Sequence, residues 1–120
     1  MLSGIDIVGT AVVIGDQQRF LIALLTLDPE ASERFAAEHR LDTTTLHENP
    51  VVRTRIEQAV TENVNPQMAR VEQIRNFVIL PNEFTTAGGE LTPTLKVKRN
   101  VVNDKYANDI AACYEAGQVL

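Results

Sequence analysis

The sequence contains few of the residues on which disulfide-bonded proteins and metal sites depend. Of its 120 residues, one is cysteine, none is tryptophan and two are histidine. Cys113, the lone thiol, cannot form an internal disulfide and has no neighbouring Cys or clustered His with which to hold zinc. We therefore predict no metal site and expect a reducing compartment, the cytoplasm.

Long apolar runs and an excess of positive charge are also missing. The longest apolar run, residues 20–27, is interrupted by Thr26 and is far shorter than the roughly 20 residues that a membrane span needs. The chain carries 11 Lys and Arg against 16 Asp and Glu, which gives a net charge of −5. An acidic chain is repelled by the negatively charged phosphate backbone of DNA or RNA. We predict no membrane span, no signal peptide and no nucleic-acid partner.

The remaining pattern is typical of one small domain with a mixed sheet. With 44% hydrophobic residues, the chain can build a single core but not a second large domain. Gly15-Asp16 predicts a turn, and Gly88-Gly89 predicts a turn or short hairpin within residues 84–90. The second apolar run suits a strand that is covered on both faces, so helices should flank the sheet. Three runs are predicted to be strands: residues 5–14, 20–27 and 77–80.

Helices are predicted from apolar spacing and from capping residues. One begins after Asp28 and another after Asn49, each with proline at the first helical position. Pro66 should interrupt the second helix, with one or two further turns reaching Val71. Residues 41–45 are predicted to be a loop, and residues 101–114 a final amphipathic helix. The predicted fold class is α+β, with a sheet of about three strands and a short hairpin, covered by helices.

The basic residues after Gly88-Gly89 are the main candidates for chemistry. A lysine on a short loop can bind phosphate or carboxylate as a point charge, so this segment is either an anion site or an ordinary solvated surface. Its cations are Lys96, Lys98, Arg99 and Lys105.

Other candidate groups carry little signal of function. His39 and His47 are predicted to be surface residues, and neither Ser3 nor Ser32 lies in a nucleophile elbow. The glycine pair has neither the Walker nor the dinucleotide spacing. Helical spacing predicts that Cys113 packs in the core. Tyr106 and Tyr114 are also expected to pack there, with their hydroxyls at the edge of the core.

Residues 89–102, GELTPTLKVKRNVV, closely resemble the last conserved motif of AMP-forming acyl-CoA synthetases, in particular the long-chain fatty acid-CoA ligases. Leu95 stands where many members outside the long-chain branch have glycine. The resemblance extends in the same order over nearly the whole chain, through residues 11–16 (AVVIGD), 20–30 (FLIALLTLDPE), 71–81 (VEQIRNFVILP) and Phe84.

The resemblance implies that this chain is the small mobile C-terminal lid of such a ligase, as one domain over residues 1–120. In that family a large N-terminal domain binds ATP, with Mg²⁺, and the fatty acid. The carboxylate attacks ATP to give acyl-adenylate, and the lid then rotates so that coenzyme A displaces AMP. The family's lysine for the first step corresponds to Lys96, and its arginine three positions later to Arg99. An ammonium between carboxylate and phosphate would act as an electrostatic clamp.

Thr92, Pro93 and Thr94 are expected to stiffen the loop that presents Lys96, because proline fixes φ and threonine hydroxyls bond to nearby backbone. Lys98, Arg99 and Lys105 are left open between loop anchoring and solvated charge. The family's hinge and large domain are not in this sequence, so the isolated chain is expected to be inactive, and the intact enzyme cytoplasmic or peripheral to a membrane. The alternative is a stand-alone, non-catalytic module that docks on a partner adenylating domain.

Overall fold

The computed structural model describes residues 6–15, 20–94 and 96–120. Its sheet has three strands in the order β1 (Val8–Ile14), β2 (Leu21–Leu27) and β3 (Ile74–Ile79). β1 is antiparallel to β2, and β3 is parallel to it. The three predicted strands are confirmed, although β1 begins three residues later than residue 5 and β3 three residues earlier than residue 77. The predicted turn at Gly15-Asp16 lies partly outside the described residues.

β2 is the central strand, and helices cover both of its faces. Ala23 and Leu25 pack in one hydrophobic cluster and Ile22 and Leu24 in the other, all with no exposed surface. Alternate residues of a strand point to opposite faces, so a strand buried on both sides is apolar at nearly every position. The exception is Thr26, which is buried with its hydroxyl oxygen accepting the Thr10 N–H at 2.9 Å. The prediction from its composition is confirmed.

The first face is covered by two helices that begin as predicted. α1 (Pro29–His39) is capped by the Asp28 carboxylate, which accepts the Ala31 N–H at 2.9 Å. α2 (Pro50–Ala59) is capped in the same way by Asn49, which accepts from Val51 at 2.9 Å. In both helices proline occupies a position where no backbone donor is needed. The core between these helices and the sheet includes Ala31, Ala36, Val52, Ile56, Phe77 and Ile79.

Two connecting segments differ from the prediction or refine it. Residues 41–45 are not simply a loop, because 3-10 turns on either side of a kink at Thr45 cover Thr43–Glu48. The Asp42 side chain accepts the Thr44 N–H at 2.9 Å. A capping acid thus starts a turn in a polar segment with little apolar periodicity. The interruption predicted at Pro66 is confirmed but starts earlier, with a π-helical turn over Val60–Val64. Short 3-10 turns at Asn65–Gln67 and Arg70–Glu72 follow.

The second face is covered by α3 (Arg99–Lys105), α4 (Ala107–Ala116) and the segment that precedes them. One continuous helix over residues 101–114 was the wrong prediction, because Tyr106 leaves helical geometry with φ −110° and ψ 24°. Its hydroxyl is held by the Glu90 side chain. Cys113 is buried in this layer, as predicted, and burial raises the pKa of its thiol to about 11 despite the opposing charge of Arg53.

The outer edge of β3 is occupied by groups from distant parts of the chain. The Arg75 carbonyl accepts the N–H groups of Val119 and Leu120 at 2.7 and 2.9 Å. The Phe77 carbonyl accepts Nη1 of Arg53 at 3.0 Å, and the same guanidinium lies 4.2 Å from the centre of the Phe77 ring. These bonds satisfy acceptors that an edge strand otherwise offers to other chains.

Asn76 joins the two helical layers at this edge of the sheet. Its Oδ1 accepts Nη2 of Arg53 at 3.0 Å, and the N–H of Phe77 at 2.8 Å. Its Nδ2 donates to the carbonyls of Cys113 and Gly117 at 3.0 and 3.2 Å, at the end of α4. One buried amide therefore connects α2, β3 and α4.

Candidate functional site

Residues 90–98 form a short hairpin, which we call the Lys96 hairpin. Leu91 and Val97 form an antiparallel bridge. Around it, the Thr92 N–H donates to the Lys96 carbonyl at 2.8 Å and the Lys98 N–H to the Glu90 carbonyl at 2.7 Å. Residue 95 lies outside the described residues. The hairpin follows the glycine pair, whereas residues 84–90, where a turn or short hairpin was predicted, contain the turn alone, closed by a bond of 3.1 Å from the Gly89 N–H to the Thr86 carbonyl.

The loop of the hairpin is held by its own side chains. Thr92 Oγ1 accepts the Lys96 N–H at 3.0 Å and lies 3.1 Å from Thr94 Oγ1. Pro93, between the two threonines, has a restricted φ. These contacts fit the stiffening role expected of the three residues, and they act directly on the backbone of Lys96.

Lys96 and Lys98 both project into solvent. Both side chains are exposed, whereas Val97 between them is half-buried and packs against the core under α3 and α4. Since alternate residues of a strand point to opposite sides, the inward-facing Val97 places both lysines on the outer side. The hairpin thus presents two ammonium groups on one side.

The other two cations of the basic segment are engaged within the domain. The Arg99 guanidinium donates to the Val13 carbonyl on β1. Lys105 Nζ lies 3.2 Å from Oε2 of Glu90. The structure therefore does not gather the four cations into one anion site. The loop-anchoring alternative fits Lys105 and Arg99, and a substrate-side role for Arg99 stays a prediction.

Glu90 is a buried acid that the sequence did not reveal. Its residue surface is 2% exposed, and Oε2 accepts from Lys105 Nζ at 3.2 Å and from the Tyr106 hydroxyl at 3.1 Å. Burial raises the pKa of this carboxyl, but hydrogen bonds that include those from Lys105 and Tyr106 outweigh it, so the pKa lies below the ordinary value of 4.5. Oε1 is buried without a hydrogen-bond partner. No local pattern marks an acid whose partners lie 15 and 16 residues away.

The first glycine of the pair makes room for this carboxylate. A Cβ at Gly88 would overlap Oε1 of Glu90 and approach Thr85 Oγ1 to 2.9 Å. The carboxylate is held by Lys105 and Tyr106 and cannot simply swing away. Gly89 has a different need, since its φ of +86° favours glycine.

Gly88→Ala is expected to destabilise the protein by about 1–3 kcal/mol, the usual cost of overpacking a filled site. In a Glu90→Ala background the same change should cost much less, because the overlapping atoms are gone. Urea unfolding of the four variants of this double-mutant cycle measures the coupling, expected to be about 1 kcal/mol or more. Gly117→Ala is the control: its cost comes from φ +85° with no atom within 4 Å, so it should not couple to Glu90. Additive costs for Gly88 and Glu90 would contradict the argument.

The two histidines lie on other elements, His39 at the end of α1 and His47 in the 3-10 segment Thr43–Glu48. His39 is exposed and stacks on Phe35 with ring centres 4.1 Å apart. His47, half-buried and 3.8 Å from Glu48, lines a cleft of about 400 Å³ that Leu27 and Leu80 place at the carboxyl ends of β2 and β3. Within residues 6–15, 20–94 and 96–120, no three His, Cys, Asp or Glu residues are grouped so that they could hold a metal ion. In the same part of the chain no helix is both long and apolar enough to cross a membrane.

Comparison with known proteins identifies the family. Residues 1–118 match the family model described as the AMP-binding enzyme C-terminal domain. The chain belongs to this family. The resemblance to AMP-forming acyl-CoA synthetases is therefore confirmed, together with the α+β fold.

Similar curated proteins are long-chain fatty acid-CoA ligases. FadD15 of Mycobacterium tuberculosis is 42% identical over 112 residues, which cover 90% of this chain and 18% of FadD15. Mouse ACSBG1 is 35% identical over 130 aligned positions, which cover 92% of this chain and 18% of ACSBG1. The chain thus spans about a fifth of the length of these relatives.

Similar solved structures support the fold alone. The adenylation domain of a carboxylate reductase from Mycobacterium chelonae matches with a TM-score of 0.67 at 23% identity, over 95% of this chain and 16% of that one. The adenylation domain of a carboxylic acid reductase from Segniliparus rugosus also matches with a TM-score of 0.67, at 21% identity, over 96% of this chain and 17% of that one.

Proposed function

We propose that this chain is the mobile C-terminal domain of an AMP-forming long-chain fatty acid-CoA ligase. The fatty acid carboxylate attacks the α-phosphorus of ATP, which yields acyl-adenylate and releases pyrophosphate. The thiol of coenzyme A then attacks the acyl carbon, and AMP leaves. The family match over residues 1–118 and the long-chain ligases among the relatives support this proposal.

Lys96 is the residue that we propose acts in the first step. The observation that carries this assignment is its exposed position on a pinned hairpin, whereas Arg99 and Lys105 are engaged within the domain. Lys98 is exposed as well, and it is the match to the family motif that selects Lys96. Its ammonium group approaches the carboxylate and the α-phosphate together, draws the two anions close and stabilises charge as it moves onto pyrophosphate. The role is electrostatic, and no proton needs to leave the lysine.

The partner that we propose is a large N-terminal domain of the same ligase. That domain would hold most of ATP with its Mg²⁺ and the fatty acid, and coenzyme A would be the second substrate. Thr92, Pro93 and Thr94 would fix the loop on the phosphate side, where the Thr92 bond to the Lys96 N–H is already formed. Arg99 would serve on the same side only after leaving Val13.

A comparison of the isolated chain with the intact ligase tests this function. Isothermal titration of the 120-residue chain with ATP, coenzyme A and a non-hydrolysable acyl-adenylate analogue should give no tight binding, and the chain should release no pyrophosphate. The intact ligase should release pyrophosphate only with a long-chain fatty acid, and deletion of this domain should abolish that release. Turnover by the isolated chain, or full activity after the deletion, would contradict the proposal.

A further inference from the structure

The acid at the base of the Lys96 hairpin is unusual because its burial is costly. The Glu90 side chain is 3% exposed, and one of its oxygens is buried without a partner. A buried carboxylate gives up strong hydration, and an ion pair rarely repays that loss in stability. What such a group can supply instead is one specific arrangement of the segments that it contacts.

Glu90 contacts the chain at both ends of α3. Its carbonyl accepts the N–H of Lys98, the residue just before α3, at 2.7 Å. Its carboxylate accepts from Lys105, the last residue of α3, and from Tyr106, which follows it. Glu90 thus closes the hairpin at the start of α3 and fastens it to the other end of α3, about 10 Å away along the helix at 1.5 Å per residue.

An anchor of this kind is needed because the hairpin is small. A two-stranded hairpin is at best marginally stable by itself in water. A group that must meet reacting atoms has to be held to within about 0.5 Å by its supporting residues. Lys96 pairs through its backbone with Thr92, two residues from Glu90, so any freedom at Glu90 reaches the lysine directly.

We infer that Glu90, held by Tyr106 and Lys105, is a positioning residue that sets the Lys96 hairpin for the adenylation step. The inference rests on the proposed function of Lys96. The Lys105 side chain is 45% exposed, so water and salt screen its charge. The Tyr106 hydroxyl lies in a half-buried side chain, and burial and the Glu90 bond raise its pKa to about 12, so it stays a donor at working pH. Substitution of Tyr106 is therefore the more specific test of the bonds that hold Glu90.

The test compares Tyr106→Phe and Glu90→Gln in the intact ligase, with Tyr114→Phe as the matched control. Tyr114 packs against the same cluster as Tyr106, but its hydroxyl donates to the carbonyls of Ile14 and Phe20, at 3.1 and 2.9 Å, instead of to Glu90. We expect Tyr106→Phe and Glu90→Gln to lower kcat for acyl-adenylate formation by about 10-fold or more, with KM for ATP little changed. Thiolysis of preformed acyl-adenylate should stay within about twofold of wild type, and amide exchange at Thr92 and Lys98 should become faster.

The control variant should keep both half-reactions and the slow exchange of these amides, whatever it does to stability. Equal loss of both half-reactions in Tyr106→Phe, or unchanged exchange and adenylation, overturns the inference. If Glu90→Gln does not fold, Tyr106→Phe decides, since it keeps the ring that packs 6.0 Å from Phe84. Lys96→Ala separates the two proposals. Normal adenylation in that variant would contradict both the proposed function and the inference. If adenylation depends on Lys96 but is unchanged in Tyr106→Phe and Glu90→Gln, the inference alone is contradicted.

Discussion

Lys96→Ala in the intact ligase is expected to slow acyl-adenylate formation by about 10²- to 10³-fold, the usual effect of removing one group that stabilises transition-state charge. The substitution removes an exposed side chain, while the backbone bonds of Lys96 to Thr92 remain possible. Stability should therefore stay within about 0.5 kcal/mol of wild type. ATP–pyrophosphate exchange measures the first half-reaction, and thiolysis of synthetic acyl-adenylate measures the second, which should largely survive.

Lys98→Ala is the matched control for this experiment. It removes the same charge from the same side of the hairpin and keeps the backbone bond to Glu90. A position-specific clamp predicts a small effect for Lys98, whereas a general attraction of anions to the domain predicts similar losses for both lysines. Lys96→Arg should recover only part of the rate, because a planar guanidinium does not reproduce the compact charge of an ammonium. Equal loss of both half-reactions in Lys96→Ala would contradict the proposal that Lys96 acts in adenylation and not in thiolysis.

Asn76→Leu is expected to cost about 3–5 kcal/mol of unfolding free energy, a large share of the roughly 5–15 kcal/mol that stabilises a domain. Leucine has nearly the same shape but leaves the carbonyls of Cys113 and Gly117 without their amide donor, and it removes an acceptor from Arg53. Each buried polar group that loses its partner costs about 1–3 kcal/mol.

Urea unfolding followed by circular dichroism measures this change, with Asn108→Leu as its control. Asn108 is exposed on α4, so the same substitution there should alter stability by less than about 0.5 kcal/mol. A cost below about 1 kcal/mol for Asn76→Leu would show that the bridge between the two layers is dispensable. The midpoint should fall without a change in the m-value if the unfolded state is unaffected.

The sequence predicted those parts of the fold that depend on neighbouring residues. Asp28 with Pro29 and Asn49 with Pro50 start helices by local bonds that any copy of the pattern can make. The end of a helix is harder to predict from the sequence than its start. Tyr106 and Ile110 pack against the same cluster, so apolar spacing continues across the break between α3 and α4.

The supports of the candidate site could not be predicted, because they join residues far apart in the chain. Lys105 and Tyr106 meet Glu90 across 15 and 16 positions, and Arg99 meets Val13 across 86. A charge in the sequence shows that a cation is present but not where its bonds go. Lys96 was predicted as a site residue from the motif around it, whereas Glu90 in the same motif gave no sign of being buried.

The buried thiol of Cys113 can serve as a chemical probe of local opening in the domain. With a pKa of about 11, only about one thiol in 10⁴ is ionised at pH 7, and the group is shielded beneath α4. A disulfide reagent can therefore react only when α4 lifts from the sheet. As this is the sole cysteine among the 120 residues, labelling that is slow compared with closing measures the equilibrium fraction of molecules in which α4 is open. Labelling of Cys113 thus measures the local opening of the layer that carries the Lys96 hairpin, and no added probe is needed.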